Sequence, residues 1–234
     1  MAAQPTAIIT GAGRGIGRAT AVQLAKEGYR LALTSRSENE LHQTARLCGD
    51  AAAVFAADVS DSAAVESVVE RSLAKFGRID ALAHVAGLAP LKSIEQTSLE
   101  DWRAVLDTNL SSAFYLCRAL WPLWRKQGGG AAVLVSSEAA RNPLMGLCAY
   151  AAAKAGVNNL GLSLAREGAS IGVRVHVVAP GGVETAMLRA IISPQQYPPE
   201  RTLKPDDVAA VIAQCIRGDL RYASGEVIYV HKTV

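Results

Sequence analysis

Short apolar runs alternate along the chain with longer stretches in which apolar residues recur every three or four positions. The short runs predict strands TAIIT (6–10), RLALTS (30–35), AAVFAAD (52–58), IDALAHVAG (79–87), AAVLVSS (131–137), VRVHVVAPG (173–181) and EVIYV (226–230). The longer stretches predict helices over 15–28, 37–48, 61–76, 98–127, 150–170 and 205–217. Alternation of helices with nearly all-apolar strands predicts an α/β fold, a doubly wound parallel seven-stranded sheet flanked by helices on both faces.

Composition agrees with one folded domain over residues 1–234, since half of the residues are apolar and only 19% are charged. The net charge of +3, without a long charge run, gives little support to nucleic-acid or anionic-membrane binding. The first strand starts almost at once and leaves no room for a signal peptide, so we expect a cytoplasmic protein. The scattered cysteines and histidines show no metal-ligand spacing, and no metal site is predicted. The one irregular stretch, 189–204, is expected to be a loop or lid.

A glycine-rich turn, TGAGRGIGRA at 10–19, follows the first strand and opens the first helix. Glycines allow a tight turn and a close approach of backbone N–H groups to a ligand, and the helix N-terminus favours a pyrophosphate. In this strand–turn–helix context the pattern predicts a nucleotide site; the alternative is an ordinary glycine-rich turn. The residues of the turn predicted to bind the nucleotide are Gly11, Gly13, Arg14, Gly15, Ile16 and Gly17.

The carboxyl ends of the other strands are expected to line the same site, because ligands of such sheets bind there. The second strand ends in Ser35-Arg36, the third in Asp58-Val59 and the fourth in Ala86-Gly87. A carboxylate at the end of the second strand would suit the ribose 2′-hydroxyl of NAD, and none is there. Two guanidinium groups, of Arg14 and Arg36, and a hydroxyl suit a 2′-phosphate instead, so we expect NADP (NADPH), with NAD less favoured. The alternative is two solvated surface arginines.

Tyr150 and Lys154 are four residues apart on a predicted helix and therefore lie on one face. A phenol needs about 4 kcal/mol of help to exchange protons near neutrality. A cation 4 Å away supplies about 1 kcal/mol in water but about 4 kcal/mol at an effective dielectric constant near 20. The pair can therefore perform acid–base chemistry only in a partly desolvated cleft. By itself this spacing is common, and a surface pair is the alternative.

Two further residues favour a catalytic interpretation of this pair. Ser137 ends the AAVLVSS strand, where its hydroxyl would face the cleft. Asn109 lies inside the long predicted helix, where asparagine is a poor helix former and often has another role. The alternative for Asn109 is a solvent-facing side chain.

Taken together, these residues resemble the short-chain dehydrogenase/reductase family over nearly the whole chain. The glycine turn, Asp58, Asn109, Ser137, the Tyr150/Lys154 pair and PGGVET at 180–185 occur in the family's order. The resemblance implies a Rossmann fold and a reaction that interconverts a carbonyl and a secondary alcohol by hydride transfer. It also implies a homotetramer, since family members commonly pair the two helices that are unusually apolar here, 107–127 and 150–170. The alternative is burial of FYLCRALWPLW by the chain's own C-terminal region.

The resemblance also implies a role for each site residue. Tyr150 gives or takes the proton of the substrate oxygen, Lys154 lowers the tyrosine pKa and holds the nicotinamide ribose, and Ser137 hydrogen-bonds the substrate oxygen. Asn109 anchors a water that links Lys154 to solvent. The residues implied to cradle the nicotinamide amide and the phosphates are Pro180, Gly181, Val183 and Thr185.

Some positions depart from the family pattern. HVAG stands where NNAG is usual, so His84 is interpreted as a packed or ribose-side substitute, and Glu138 follows Ser137 where a small residue is commoner. The 3-oxoacyl-carrier-protein reductases are the nearest subgroup, but Ile171 stands where they tend to have arginine. An acyl-thioester carrier as partner therefore stays open without being favoured.

The substrate is expected to be a small carbonyl or hydroxyl compound. Its pocket is predicted in 88–95, 138–148 and 186–203, where apolar residues outnumber a few polar ones. The rival function is a non-catalytic dinucleotide-binding or redox-sensing protein on the same fold. The intact set of Asn109, Ser137, Tyr150 and Lys154 favours the enzyme.

Overall fold

The computed structural model describes residues 4–232 and contains a parallel sheet in the order β3-β2-β1-β4-β5-β6-β7. Its strands are β1 Thr6–Thr10, β2 Arg30–Thr34, β3 Ala52–Val54, β4 Ala81–His84, β5 Gly130–Val135, β6 Val173–Pro180 and β7 Val227–Val230. Every neighbouring pair is parallel. The predicted doubly wound sheet is confirmed, although β3 and β4 are shorter than predicted. Residues 1–3 and 233–234 of the predicted domain lie outside the described part.

The helices follow the predicted segments closely. They are α1 Gly15–Lys26, α2 Glu38–Cys48, α3 Ser62–Phe76, α4 Leu99–Leu106, α5 Ser112–Gln127, α6 Cys148–Gly168, α7 Ala186–Ile191 and α8 Pro205–Arg217. The predicted helix 98–127 is wrong as one element, because the π turn Asp107–Ser111 divides it into α4 and α5. Part of the predicted loop 189–204 is also helical, since α7 extends to Ile191.

Local sequence signals explain where several helices begin and end. Ser98 and Asp101 form a reciprocal capping box at the start of α4. The carboxylate of Asp61 accepts from the backbone N–H of Ala63 at the start of α3. Gly77 and Gly128 end α3 and α5 in the left-handed conformation that favours glycine.

Two apolar layers cover the sheet, one on each face. Successive strand residues point to opposite faces, so Ile8 packs in one layer and Ala7 and Ile9 pack in the other. The first layer is closed by α3, α5 and α6, and the second by α1, α2 and α8. Because both faces are covered, what remains open to a ligand is the edge formed by the strand ends.

The strand order reverses between β1 and β4, so the helices that follow these strands leave to opposite faces of the sheet. The Thr10 hydroxyl at the end of β1 accepts hydrogen bonds from the backbone N–H groups of Val85 and Ala86, both at 3.0 Å. This contact ties together the two chain segments that flank the crevice, which is where such sheets bind ligands.

The expected exposure of the apolar α5 segment is only partly correct. Trp124 is fully buried: its indole N–H donates to the Ile79 carbonyl at 3.0 Å and its ring lies against Gly130. The segments around β4 and β5 therefore bury this side chain. The alternative, burial by the C-terminal region, is wrong for this residue. Phe114 on α5 stays 48% exposed, beside Leu99 at 68% and Trp102 at 38% on α4.

Candidate functional site

A cleft of about 1290 Å³ runs along the carboxyl ends of the strands, from the glycine turn to the start of α6. Of the predicted site residues, all but Asn109 line this cleft. Those on its wall are Gly11, Gly13, Arg14, Gly15, Ile16, Gly17, Ser35, Arg36, Asp58, Val59, Ala86, Gly87, Ser137, Tyr150, Lys154, Pro180, Gly181, Val183 and Thr185. Residues far apart in sequence thus meet at one edge of the sheet, as parallel topology requires.

The glycine turn is packed closely against the end of β4. Gly11 has φ +63, and a side chain there would meet the backbone of Ala86 at 3.0 Å. A side chain at Gly17 would meet the Gly11 carbonyl oxygen at 2.2 Å, so the first turn of α1 rests directly on the loop. This close packing leaves the cleft side of the turn open to a dinucleotide, whose pyrophosphate the N-terminus of α1 would favour.

Charged side chains collect at the far end of the cleft, where β2 and β3 end. Burial opposes ionisation of Asp58, but hydrogen bonds from Ser60 and the charge of Arg36 outweigh it and hold the pKa of this carboxyl below its ordinary value. The Asp58 carboxylate accepts from the Ser60 backbone N–H at 3.0 Å and from its hydroxyl at 2.7 Å. Asp58 therefore stays an acceptor at neutral pH, beside Arg36.

Ser137, Tyr150 and Lys154 lie at the near end of the cleft. Ser137 follows β5 and its hydroxyl oxygen accepts from the Ala139 N–H at 3.1 Å. The Lys154 ammonium lies 5.6 Å from the centre of the Tyr150 ring and donates to the Val135 carbonyl at 2.7 Å. The Ser136 hydroxyl donates to the Lys154 carbonyl at 3.0 Å and fixes α6 against β5.

The expected lowering of the Tyr150 pKa by Lys154 is not what this geometry gives. Burial raises the pKa of the Tyr150 phenol, and a hydrogen bond with the Ser137 hydroxyl offsets only part of the rise. Burial is the physical reason for both shifts, since it also lowers the pKa of Lys154 to about 7.

Asn109 lies behind the cleft wall, fully buried in the π turn, so its solvent-facing alternative is wrong. Its amide nitrogen donates to the carbonyls of Leu88 and Val105, both at 2.8 Å, and its oxygen accepts from the Leu88 N–H at 3.2 Å. A side chain at Gly87 would meet this oxygen at 3.0 Å and the Lys154 nitrogen at 3.8 Å. Asn109 thus clamps the loop after β4 next to Lys154.

The structure shows what surrounds His84 and Glu138, the two residues that depart from the family pattern. His84 is buried, lies 2.6 Å from the Ser112 hydroxyl, and has its pKa lowered to about 3 by burial and by the charge of Lys154. It is a neutral packed residue, which agrees with the first of the two interpretations given above for HVAG. Glu138 is bound by Arg141 at 2.9 Å and lies 3.4 Å from His231, so its charge is directed to the rim of the cleft.

The expected substrate segments contribute unequally. Leu144 and Leu188 line the cleft, as do Asn142 and Tyr197, whereas Met145 is 95% exposed. Arg189 does not line the cleft: it is paired with Glu184, and its Nη1 donates to the Tyr197 carbonyl at 2.8 Å. This pairing fastens α7 to the segment that follows it. The lining of the cleft as a whole is more apolar than polar.

Cleft residues that sequence reasoning missed include His231, Lys232 and Glu40. The first two follow β7, and the strand-end rule applied to the other strands would have found them. Glu40 belongs to α2 and left no such signal.

No helix within residues 4–232 is long and apolar enough to cross a membrane. In the same part of the chain no three His, Cys, Asp or Glu side chains are grouped so that they could hold a metal ion. All four cysteines are free thiols, with Cys117 and Cys215 buried and Cys148 exposed.

The geometry places the protein among the nucleotide-binding α/β oxidoreductases. Residues 5–196 match the family model described as short chain dehydrogenase, and the chain belongs to this family. It is 36% identical over 231 residues to the 3-oxoacyl-[acyl-carrier-protein] reductase of Escherichia coli, covering 96% of this chain and 95% of that protein. It is 38% identical over 214 residues to the D-threitol dehydrogenase of Mycolicibacterium smegmatis, covering 87% and 82%.

A solved structure gives the same result. The 3-ketoacyl-(acyl-carrier-protein) reductase of Brucella melitensis, complexed with NADH, superposes with a TM-score of 0.92 at 30% identity, covering 97% of this chain and 96% of that one. The Rossmann fold and the oxidoreductase class expected from the sequence are confirmed. Family and cleft together indicate a nicotinamide dinucleotide as the cofactor.

Proposed function

We propose that this protein is an NADP-dependent reductase that interconverts a carbonyl and a secondary alcohol, with Tyr150 as the general acid and base. The observation that carries the proposal is the meeting of Ser137, Tyr150 and Lys154 at one end of a cleft whose other end is the glycine turn. The rival function, dinucleotide binding without catalysis, leaves this complete set without a role.

The chain's own residues account for the acid–base part of the reaction. A bound nicotinamide supplies or accepts the hydride. The Ser137 hydroxyl, whose oxygen already accepts from the Ala139 N–H, donates to the substrate oxygen. The Tyr150 phenol, whose pKa burial raises, is protonated at neutral pH and is the group proposed to donate its proton to that oxygen during reduction. Lys154, which donates to the Val135 carbonyl and whose nitrogen lies 5.6 Å from the centre of the Tyr150 ring, is proposed to return a proton to the phenolate afterwards.

The preference for NADP rests on the residues at the far end of the cleft. Ser35 stands at the end of β2, and Arg14 and Arg36 both line the cleft beside it. Guanidinium groups and a hydroxyl suit a 2′-phosphate. The segment 180–185 also lines the proposed cofactor site. Asn109 completes this site by holding Leu88 in place.

The substrate is proposed to be a small compound with an apolar body, because Leu144, Leu147 and Leu188 line the cleft near Tyr150. Relatives named as 3-oxoacyl-carrier-protein reductases support a 3-oxoacyl thioester as one candidate. A carrier protein as partner is not favoured, since Ile171 stands where the 3-oxoacyl-carrier-protein reductases tend to have an arginine.

A homotetramer is also proposed, supported by the exposed Phe114, Leu99 and Trp102 on α5 and α4. Sedimentation equilibrium at the mass of a single chain would contradict it. One domain over the whole chain and a cytoplasmic location remain predictions.

Tyr150→Phe tests the catalytic assignment. The variant keeps the ring but has no proton to give, so turnover of NADPH with a panel of aldehydes, ketones and 3-oxoacyl thioesters should fall at least about a thousandfold. NADPH binding, measured by fluorescence, should stay nearly unchanged. Tyr115→Phe, a tyrosine of α5 outside the cleft, is the matched control. Full activity in Tyr150→Phe would show that the proton comes from another group.

Arg36→Asp tests the cofactor assignment. In the parent protein NADPH should bind more tightly than NADH. Placing a carboxylate at the end of β2 should narrow or reverse that difference, because it repels a 2′-phosphate and accepts from a 2′-hydroxyl. Fluorescence titration with both dinucleotides measures the effect. Equal affinities in the parent would contradict the NADP preference.

A further inference from the structure

Glu40 occupies the third position of α2, but its carboxylate does not cap that helix as the sequence predicts. Ser37 and Glu40 form the S-x-x-E pattern of a capping box, and the Ser37 hydroxyl does accept from the Glu40 N–H at 3.4 Å. Within residues 4–232 the reciprocal bond, from the Ser37 N–H to the Glu40 carboxylate, is not formed. The complete box of Ser98 and Asp101 in the same protein shows both bonds. The Glu40 carboxylate is therefore free to face elsewhere.

The carboxylate faces the nucleotide cleft. A side chain at Gly13 would meet a Glu40 carboxylate oxygen at 3.0 Å and the Ser35 hydroxyl at 3.2 Å, so these two groups flank the same point of the glycine turn. Another Glu40 oxygen lies 3.9 Å from a guanidinium nitrogen of Arg14. Glu40 lines the cleft together with Ser35, Arg14 and Arg36.

This placement puts a carboxylate near the end of β2, where the sequence of the strand itself provides none. In dinucleotide folds the residue at the end of the second strand meets the ribose 2′ substituent, and that residue here is Ser35. A carboxylate beside it can accept a hydrogen bond from a 2′-hydroxyl. The same carboxylate repels a 2′-phosphate and competes with it for the Arg14 guanidinium.

We propose that Glu40 weakens the preference of this protein for NADPH by opposing its 2′-phosphate and by holding Arg14 away from that phosphate. The proposal rests on the proposed function only in taking Arg14, Ser35 and Arg36 as the 2′ site. Its consequence is that the parent discriminates between NADPH and NADH less than its two arginines alone would allow.

Glu40→Gln removes the charge while keeping the size of the side chain and leaving the Ser37 cap in place. The ratio of NADH to NADPH dissociation constants should rise at least about tenfold, after allowance for screening at a partly exposed site. Isothermal titration with adenosine 2′,5′-bisphosphate and with 5′-AMP should show the same change, since these probes carry the 2′-phosphate difference without a nicotinamide.

Glu38→Gln is the matched control. It changes the net charge equally on the same helix, but Glu38 is 68% exposed at its side chain and pairs with His42 at 3.7 Å. Both dinucleotides should bind it within about twofold of the parent. Glu40→Ala, as a second variant, should shift the ratio in the same direction as Glu40→Gln.

The proposed role of Glu40 and the proposed NADP preference of the parent can be contradicted independently of each other. A ratio that stays constant or falls in both Glu40 variants overturns the role of Glu40, whatever the parent prefers. A parent that binds the two dinucleotides equally, with a ratio that rises in Glu40→Gln, supports the role of Glu40 and contradicts the NADP preference of the parent.

Discussion

Burial acts in opposite directions on the pKa values of Tyr150 and Lys154. It raises that of the phenol and lowers that of the amino group to about 7, because a site poor in water penalises either charge. At neutral pH the phenol is therefore protonated and the amino group is close to half-protonated. Deprotonation of the phenol therefore stays costly at neutral pH, whereas the amino group can gain or lose a proton with little change in free energy.

His84 shows how a residue near this pair is kept out of proton exchange. The Ser112 hydroxyl donates its hydrogen to the Thr108 carbonyl at 2.7 Å, so it accepts from the His84 ring nitrogen 2.6 Å away. Burial and the neighbouring Lys154 hold the His84 pKa at about 3. A neutral imidazole next to Lys154 adds a dipole to the site without adding a competing charge.

At the scale of elements, the π turn at 107–111 interrupts the predicted long helix next to the site. A π turn releases backbone groups from the helical hydrogen-bond pattern, and the Asn109 amide satisfies the carbonyl of Val105. The same amide holds both backbone groups of Leu88. One side chain of the π turn thus joins α4 and the loop after β4.

Asn109→Ala should destabilise the protein by roughly 2–4 kcal/mol, because it leaves three buried or half-buried backbone groups without their partner. Urea unfolding measures the loss, and amide exchange at Leu88 should accelerate. Asn39→Ala, at an exposed position of α2, should change stability by less than about 0.5 kcal/mol. An Asn109→Ala protein as stable as the parent would mean that the clamp contributes nothing.

Periodicity located most elements, but it could not detect this turn. The apolar spacing continues from 98 to 127 without a glycine or a break, so one helix was the natural prediction. The asparagine itself was the signal, as a poor helix former at a central position. For Glu40 the local signal pointed the other way, since S-x-x-E predicts a cap and only tertiary packing turns the side chain into the cleft.

At the scale of the whole molecule, parallel topology made the cleft predictable. Strand ends distant in sequence must meet at one edge of the sheet, so naming the strands also named most of the cleft wall. The depth of each side chain was not predictable in this way. The direction of the Tyr150 pKa without a bound cofactor could therefore not be predicted, because it depends on burial that only the folded chain defines.

Burial of Lys154 also makes the stability of the whole fold depend on pH. The folded-state pKa of about 7 lies below the ordinary value of 10.5, so between these values the unfolded chain binds more protons. The contribution of Lys154 is consequently least favourable below about pH 7, and stability improves as the pH rises from 7 toward 10.5. Lys154→Met, which cannot ionise, lacks this dependence.

Urea unfolding of the parent and of Lys154→Met, without dinucleotide, should therefore give two curves of different slope against pH. From pH 7 to pH 9.5 the parent should gain roughly 2–3 kcal/mol relative to the variant. The offset between the curves also contains the lost hydrogen bond to the Val135 carbonyl, so the slope, and not the offset, carries the test. Lys126→Met, at an exposed position near the end of α5, should run parallel to the parent. Parallel curves for Lys154→Met as well would mean that the Lys154 amino group is as well solvated in the fold as in the unfolded chain.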